Sequence, residues 1–308
     1  MKVGLLHHPL CLEHRLQPGH PEAPERLTTL LAHLERSGLA ADLVCIDDAP
    51  EVSAEDVARV HPDTLVADLE ALAPVQGLAH LDSDTWLCPA TLPAARAAAG
   101  AATRAVDALL RGELDRAFCA VRPPGHHAEA GIAMGFCFLN SVAIAARRAL
   151  EVHGLDRVAI LDFDVHHGNG TAQIFAEDPR VLVASSFQHP WYPGRMHDLR
   201  GPNLVFTPLP AGTGSAAFRA AIERDWLPAL EAHAPQLVLV SAGFDAHRLD
   251  PLGELLLAEA DYGWITELIT DAARRDADGR VLSMLEGGYD LGALARSVEA
   301  HVSTLLTT

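Results

Sequence analysis

Asp162, Asp164 and His166 alternate along Leu161-Asp162-Phe163-Asp164-Val165-His166-His167-Gly168-Asn169-Gly170, directly after the apolar run Val158 to Leu161. In extended backbone, side chains two apart share a face, so these metal-ligand types are expected to project together. Asp245 closes a second polar motif, Ser241-Ala242-Gly243-Phe244-Asp245, which also follows an apolar run. Asp164, His166 and Asp245 make a two-carboxylate, one-imidazole set that leaves positions on a zinc ion free for water and a substrate oxygen. That is the layout of a hydrolytic site, since structural zinc is more often closed by four ligands and uses cysteine.

Adjacent His126 and His127 follow a Pro-Pro-Gly turn and form a candidate proton-transfer pair, because imidazole titrates near working pH. Asp162 and Asn169 are the candidate partners, one a carboxylate and one an amide. If Asp162 holds His126 and Asn169 holds His127, the first stays more basic and the second is freer to cycle as base and then acid. Tyr289, behind Gly287 and Gly288, offers a phenol to an oxygen developing negative charge. Glu286 receives no chemical role.

Positioning such residues requires a shared edge. Buried-type strand candidates recur at Val3 to Leu6, Leu43 to Ile46, Ala117 to Val121, Val158 to Leu161, Val181 to Ala184, Leu237 to Val240 and Val281 to Leu285. Helical spacing fills Pro93 to Leu110, Ser141 to Val152, Ser215 to His233, Glu259 to Arg274 and Leu291 to Leu305. The alternation predicts an α/β fold with a mostly parallel sheet flanked by helices on both faces. The polar motifs after Val121, Leu161, Val240 and Leu285 all follow strand ends, and in an open parallel sheet the carboxyl ends share one edge where ligands bind. With no internal repeat or Gly/Ser-rich linker, residues 1–308 are expected to form one domain.

A hydrophobic fraction of 49% supports a substantial core, and no apolar run reaches the roughly 18 residues of a membrane helix. The start, Met1 to His8, is too short in apolar residues for a signal peptide, so a cytoplasmic location is the expectation. Cys11, Cys45, Cys88, Cys119 and Cys137 contain no CxxC pair, which argues for reduced thiols. A formal charge of -18 disfavours nucleic acid as a partner. Homo-oligomerisation stays open.

The motifs GHH, DFDVHHGNG, SAGFDAH and LEGGYDL, in this order and spacing, resemble those of the zinc-dependent histone deacetylase family, and matches run from His20-Pro21-Glu22 to Tyr289. GFCFLN at Gly135 to Asn140 and YPG at Tyr192 to Gly194 resemble its class II branch and the bacterial deacetylase-like amidohydrolases. The resemblance implies an arginase/deacetylase-like fold and hydrolysis of acetyl-lysine or another small acylated amine. It implies zinc on Asp164, His166 and Asp245, catalytic roles for His126, His127 and Tyr289, and partner roles for Asp162 and Asn169. Phe136 and Tyr192 would wall the acyl-lysine channel, with the Gly135 backbone contacting the substrate amide. A potassium ion would lie near Asp162, Asp164, His166 and Ser185.

Two departures bear on these expectations. Phe187 stands where many relatives have histidine near the potassium site. Leu252 stands where polyamine-specific members place a gatekeeping glutamate, although Glu254 lies two residues on. Leucine there favours acetyl-lysine-like or neutral amines. Two other readings compete. An arginase-like pair of manganese ions would want more carboxylates than Gly168 and His247 supply, and a non-catalytic binding module would be expected to have lost a catalytic residue.

Overall fold

Central strands buried on both faces must be covered by helices, and the apolar runs meet that condition. The computed structural model describes all 308 residues. Its strands are β1 (Val3–Leu6), β2 (Val44–Ile46), β3 (Ala79–His80), β4 (Trp86–Leu87), β5 (Arg116–Cys119), β6 (Val158–Asp162), β7 (Val181–Gln188), β8 (Leu204–Leu209), β9 (Leu237–Ala242) and β10 (Val281–Leu285). Eight form a wholly parallel sheet in the order β2-β1-β5-β10-β9-β6-β7-β8, while β3 and β4 make a small antiparallel pair.

The α-helices are α1 (Glu25–Arg36), α2 (Ala54–Ala58), α3 (Asp63–Leu72), α4 (Thr91–Leu110), α5 (Ser141–Glu151), α6 (Asn169–Phe175), α7 (Ser215–His233), α8 (Glu259–Asp276) and α9 (Leu291–Thr307). The helices α1, α9, α8 and α7 pack in succession, and α4 pairs with α5. Alanine fills much of the buried surface of α4, which lets it lie close to the strands it crosses. No helix is long and apolar enough to cross a membrane.

Several elements differ from expectation. The edge strand β8 carries Pro208 and is only half-buried over most of its length, so it lacks the apolar run that marks its neighbours. Helix α1 buries Leu27, Leu30 and Leu34 at helical spacing, and Pro24 stands at its N-cap. Strand β7 also extends beyond Ala184 to Gln188, which carries Ser185 and Phe187 inside the sheet.

The amino-terminal segment is tied to the end of β5 by a buried ion pair. Arg122 Nε and Nη2 each lie 2.6 Å from a Glu22 carboxylate oxygen, and its remaining donors reach the carbonyls of Cys11 and His14 at 2.6 and 2.9 Å. Burial favours the neutral Glu22 acid, but Arg122 and then His14 hold its pKa well below the usual carboxylate value. Removing one partner leaves an uncompensated buried charge, so Glu22→Ala is expected to cost about 3–5 kcal/mol in urea unfolding. A loss below about 1 kcal/mol would show that water replaces the carboxylate there.

Candidate active site

Register brings the polar motifs together at one edge. Asp162, the last residue of β6, lies opposite Ser241 on β9 and Ser185 on β7, and β10 pairs with β9 up to Leu285 and Ala242. The chain segments beyond β5, β6, β9 and β10 therefore leave the sheet side by side. The strand-alternation expectation needs one correction, because β6 ends at Asp162 and the next residues turn. The amide of Asp164 donates to Asp162 Oδ1 at 3.1 Å and that of His166 to Asp164 Oδ1 at 2.9 Å. Asp162 consequently faces His126, while Asp164 and His166 face Asp245.

Asp164, His166 and Asp245 are buried, with one donor atom from each lying within 4.8 Å of the others. His166 Nδ1 is 3.1 Å from an oxygen of each carboxylate. The Val165 amide holds Asp245 Oδ1 at 2.8 Å, and the Gly287 amide holds Asp164 Oδ2 at 2.8 Å. A Cβ on Gly287 would run into both carboxylates, and one on Gly243 into Asp164. Two carboxylates, one imidazole and this close backbone cradle fit a zinc ion with open coordination positions. His247 turns instead towards Glu259, 3.6 Å away, and supplies no further ligand.

The tandem histidines have the partners expected of them. His126 Nδ1 lies 2.9 Å from Asp162 Oδ2, and His127 Nδ1 lies 2.7 Å from Asn169 Oδ1. Burial lowers the pKa of His126, but Asp162 and Asp164 outweigh it and raise the value well above that of free imidazole. For His127, burial and the neighbouring His126 and His166 act together and push the pKa well below it. One imidazole is thus kept charged and the other neutral, which separates an electrostatic group from a proton acceptor.

A cavity of about 310 Å³ opens above this cluster, lined by His127, His166, Gly135, Phe136, Tyr192, Tyr289 and Leu252, together with Pro21, Asp84, Trp191 and Pro251. Gly135 needs to be glycine twice over: its φ is +57°, and a Cβ would meet His127 Cδ2 at 2.6 Å and the Tyr192 hydroxyl at 2.8 Å. Phe136 also has positive φ and its amide donates to Thr85 Oγ1 at 3.2 Å. The Phe136 and Tyr289 rings meet edge to face at 6.0 Å, and Tyr192 stands 5.2 Å from the His127 ring. Burial drives the Tyr289 phenol well above its usual pKa, so it stays a donor at neutral pH.

Several supports carry no local signal in the sequence. Glu286 accepts from the amides of Gly125 and His126 at 2.7 and 3.2 Å and from Ser241 Oγ at 3.2 Å, fixing the histidine loop against the β9 and β10 ends. Burial lifts its pKa to about 7. Asp250 accepts from the Tyr289 amide at 2.6 Å and the Leu252 amide at 2.9 Å. Arg26 donates to the carbonyls of Gly288, at 2.7 Å, and Glu286, and its guanidinium covers the Tyr289 ring at 4.9 Å. Glu129 bonds Asn169 from behind at 2.7 Å. Apart from the Asp250–Leu252 bond, these hydrogen bonds span from 39 to 262 residues of sequence, which is why spacing does not reveal them.

At the rim, Glu254 and Gln188 bond each other twice, at 2.7 and 3.0 Å, which keeps Glu254 off the cavity wall that Leu252 lines. Asp82 Oδ1 is bound by the amides of Asp84 and Thr85, whereas Asp84 lines the cavity. Ser185 Oγ lies 3.2 Å from His167 Nδ1, and the Phe187 ring packs on His167 at 4.4 Å.

Fold and site are those of a metal-dependent amidohydrolase. The chain belongs to the histone deacetylase family: the histone deacetylase domain matches residues 20–305. It is 42% identical over 280 residues to a histone deacetylase-like amidohydrolase of Pseudomonas aeruginosa, covering 88% of this chain and 73% of that protein. It is 39% identical over 327 residues to human polyamine deacetylase HDAC10, covering 99% of this chain and 48% of the relative. The crystal structure of the HDA15 HD domain superposes with a TM-score of 0.92 at 32% identity, over 99% of this chain and 89% of that one.

Zinc requires a neutral His166, yet its hydrogen bonds to Asp164 and Asp245 overcome burial and lift its pKa to about 10. Metal entry must displace that proton, so the zinc dissociation constant is expected to fall about tenfold per pH unit from pH 6 to 8. Calorimetry in buffers of different ionisation enthalpy measures the proton count; zinc binding with no proton release contradicts the expectation.

Proposed function

We propose that this protein hydrolyses N-acetyl amides of lysine-like amines, releasing acetate and the free amine, with residues 1–308 acting as one catalytic domain. The observation that carries the reading is the buried cluster of Asp164, His166 and Asp245, with one donor atom of each within 4.8 Å of the others, beside a cavity lined by His166, His127 and Tyr289. Phe136 and Tyr192 flank the channel, and two aromatic faces suit the methylene stem of a lysine side chain. Gly135 lines the same cavity and would contact the substrate amide through its backbone.

A zinc ion on Asp164, His166 and Asp245 would polarise the scissile carbonyl and acidify the attacking water. His127, its Nδ1 engaged by Asn169, uses Nε2 to take a proton from water and return it to the leaving nitrogen. His126, charged beside Asp162, favours the developing negative charge by its field and does not exchange the proton itself. Tyr289 donates its phenol hydrogen to the carbonyl oxygen as that oxygen gains charge. A potassium ion near Ser185 and the Asp162 to His166 segment would add positive field.

Leu252 on the cavity wall, with Glu254 tied to Gln188, supports acetyl-lysine over charged polyamines. Asp84 supports the second reading, an acetylpolyamine amidohydrolase, since a carboxylate at the mouth attracts a distant ammonium. The test is kcat/KM of zinc-loaded protein for an acetyl-lysine tripeptide against N-acetylputrescine, read as acetate release with a chelator control. The peptide is expected to win, and polyamine preference would transfer the gating role from Leu252 to Asp84. Tyr289→Phe is expected to lower kcat by about 10² to 10³ with zinc content unchanged. Unaltered turnover in that variant would remove the role given to the phenol.

A further inference from the structure

Asn169 can present its carbonyl oxygen to His127 only while its amide nitrogen is engaged elsewhere. Nδ2 donates to Glu129 Oε1 at 2.7 Å and to the His127 carbonyl at 3.3 Å. Glu129 is 3% exposed, and Arg195 grips it with Nε at 3.0 Å from Oε1 and Nη2 at 3.0 Å from Oε2. A carboxylate paired with a guanidinium accepts hydrogen bonds and donates none. Rotating the Asn169 amide by half a turn would set its oxygen against that carboxylate and its nitrogen against the ring. The observed orientation obliges His127 to present Nδ1–H, which leaves the Nε2 lone pair for the cavity.

The chain of contacts does not stop at Glu129. Arg195 belongs to the loop that carries Trp191 and Tyr192, both of which line the cavity. One carboxylate therefore touches the group that orients the base and the arginine that anchors the channel wall.

We propose that Glu129 is a positioning residue: it locks the Asn169 amide in one orientation, thereby selects the tautomer of His127, and through Arg195 holds the Tyr192 loop in register with it. The inference deepens the hydrolase reading and rests on it. It carries a charge rule as well. An aspartate at position 169 would bring two carboxylates to the 2.7 Å now spanned by an N–H···O bond, so an acid at 169 demands an amide at 129. In the exchanged pair, a glutamine at 129 donates to an aspartate at 169, which still accepts from His127.

The experiment compares the parent, Glu129→Gln, Asn169→Asp and the double variant, all zinc-loaded, for kcat, KM, zinc content and melting temperature. ¹⁵N-histidine NMR reports the His127 tautomer, with the resonance assigned from a His127 replacement. Glu129→Gln is expected to lower kcat about tenfold with KM and zinc content unchanged, and to mix the two tautomers. Asn169→Asp is expected to lose about 100-fold, and adding Glu129→Gln should recover about tenfold of that loss. Turnover of Glu129→Gln within about twofold of the parent, or losses that simply multiply in the double variant, would overturn the proposal. A lower melting temperature with normal kcat would also overturn it, since the role would then be structural. If the parent releases no acetate, the hydrolase reading fails separately. The NMR still decides the pairing: a single Nδ1–H tautomer in the parent, lost in Glu129→Gln, supports it, and a mixture in the parent contradicts it.

Discussion

Four carboxylates, those of Asp162, Asp164, Asp245 and Glu286, are buried near one another at the carboxyl edge of the sheet. An ionised carboxylate removed from water is costly unless it is paired and hydrogen-bonded. Each one here is met by backbone amides, a charged imidazole or both, and the two closest to His166 converge on a position suited to a divalent cation. The neighbouring arginines obey the same logic, because Arg122 and Arg26 both pair with Glu22, and Arg26 directs its other donors to the Gly288 and Glu286 carbonyls. Charge compensation thus places the loops that the chemistry uses.

This constraint explains why the site is built on strand ends. Four segments emerge side by side from a rigid parallel sheet, so their amides point into a volume that no single loop could line. Polar side chains then fix the loops: Glu286 binds the histidine loop, Asp250 the tyrosine loop, and Asp290 caps α9 by accepting from the Ala293 amide at 2.7 Å just beyond Tyr289. The wall of the cavity is held with equal economy, since the Trp191 indole donates to the Leu252 carbonyl at 3.0 Å and joins the two rim loops.

The central strands were legible because continuous aliphatic runs have few other uses in a chain of this length. Edge strand β8 was not, because half-exposed positions and Pro208 dilute its pattern. Among site residues, Asp164, His166, Asp245, His126 and His127 announced themselves through type and spacing, and the histidine partners followed from leftover polar residues. Strand alternation sets Asp162 on one face with Asp164 and His166 only if the backbone stays extended, and β6 ends at Asp162, which pairs with His126 as expected. Glu129 and Glu286 were illegible for a different reason: their partners lie 40 or more residues away in sequence, and only the sheet order brings them together. The family resemblance supplied what spacing could not, notably the channel residues Gly135, Phe136 and Tyr192, which the structure brings to one cavity with Leu252.

The most direct test of a site organised by one buried cation is metal analysis after equilibration with zinc and manganese together, followed by melting with and without a chelator. One zinc per chain, absent from Asp164→Ala and Asp245→Ala and required for acetate release, is the predicted result. Two manganese ions per chain, or full activity in metal-free protein, would contradict it.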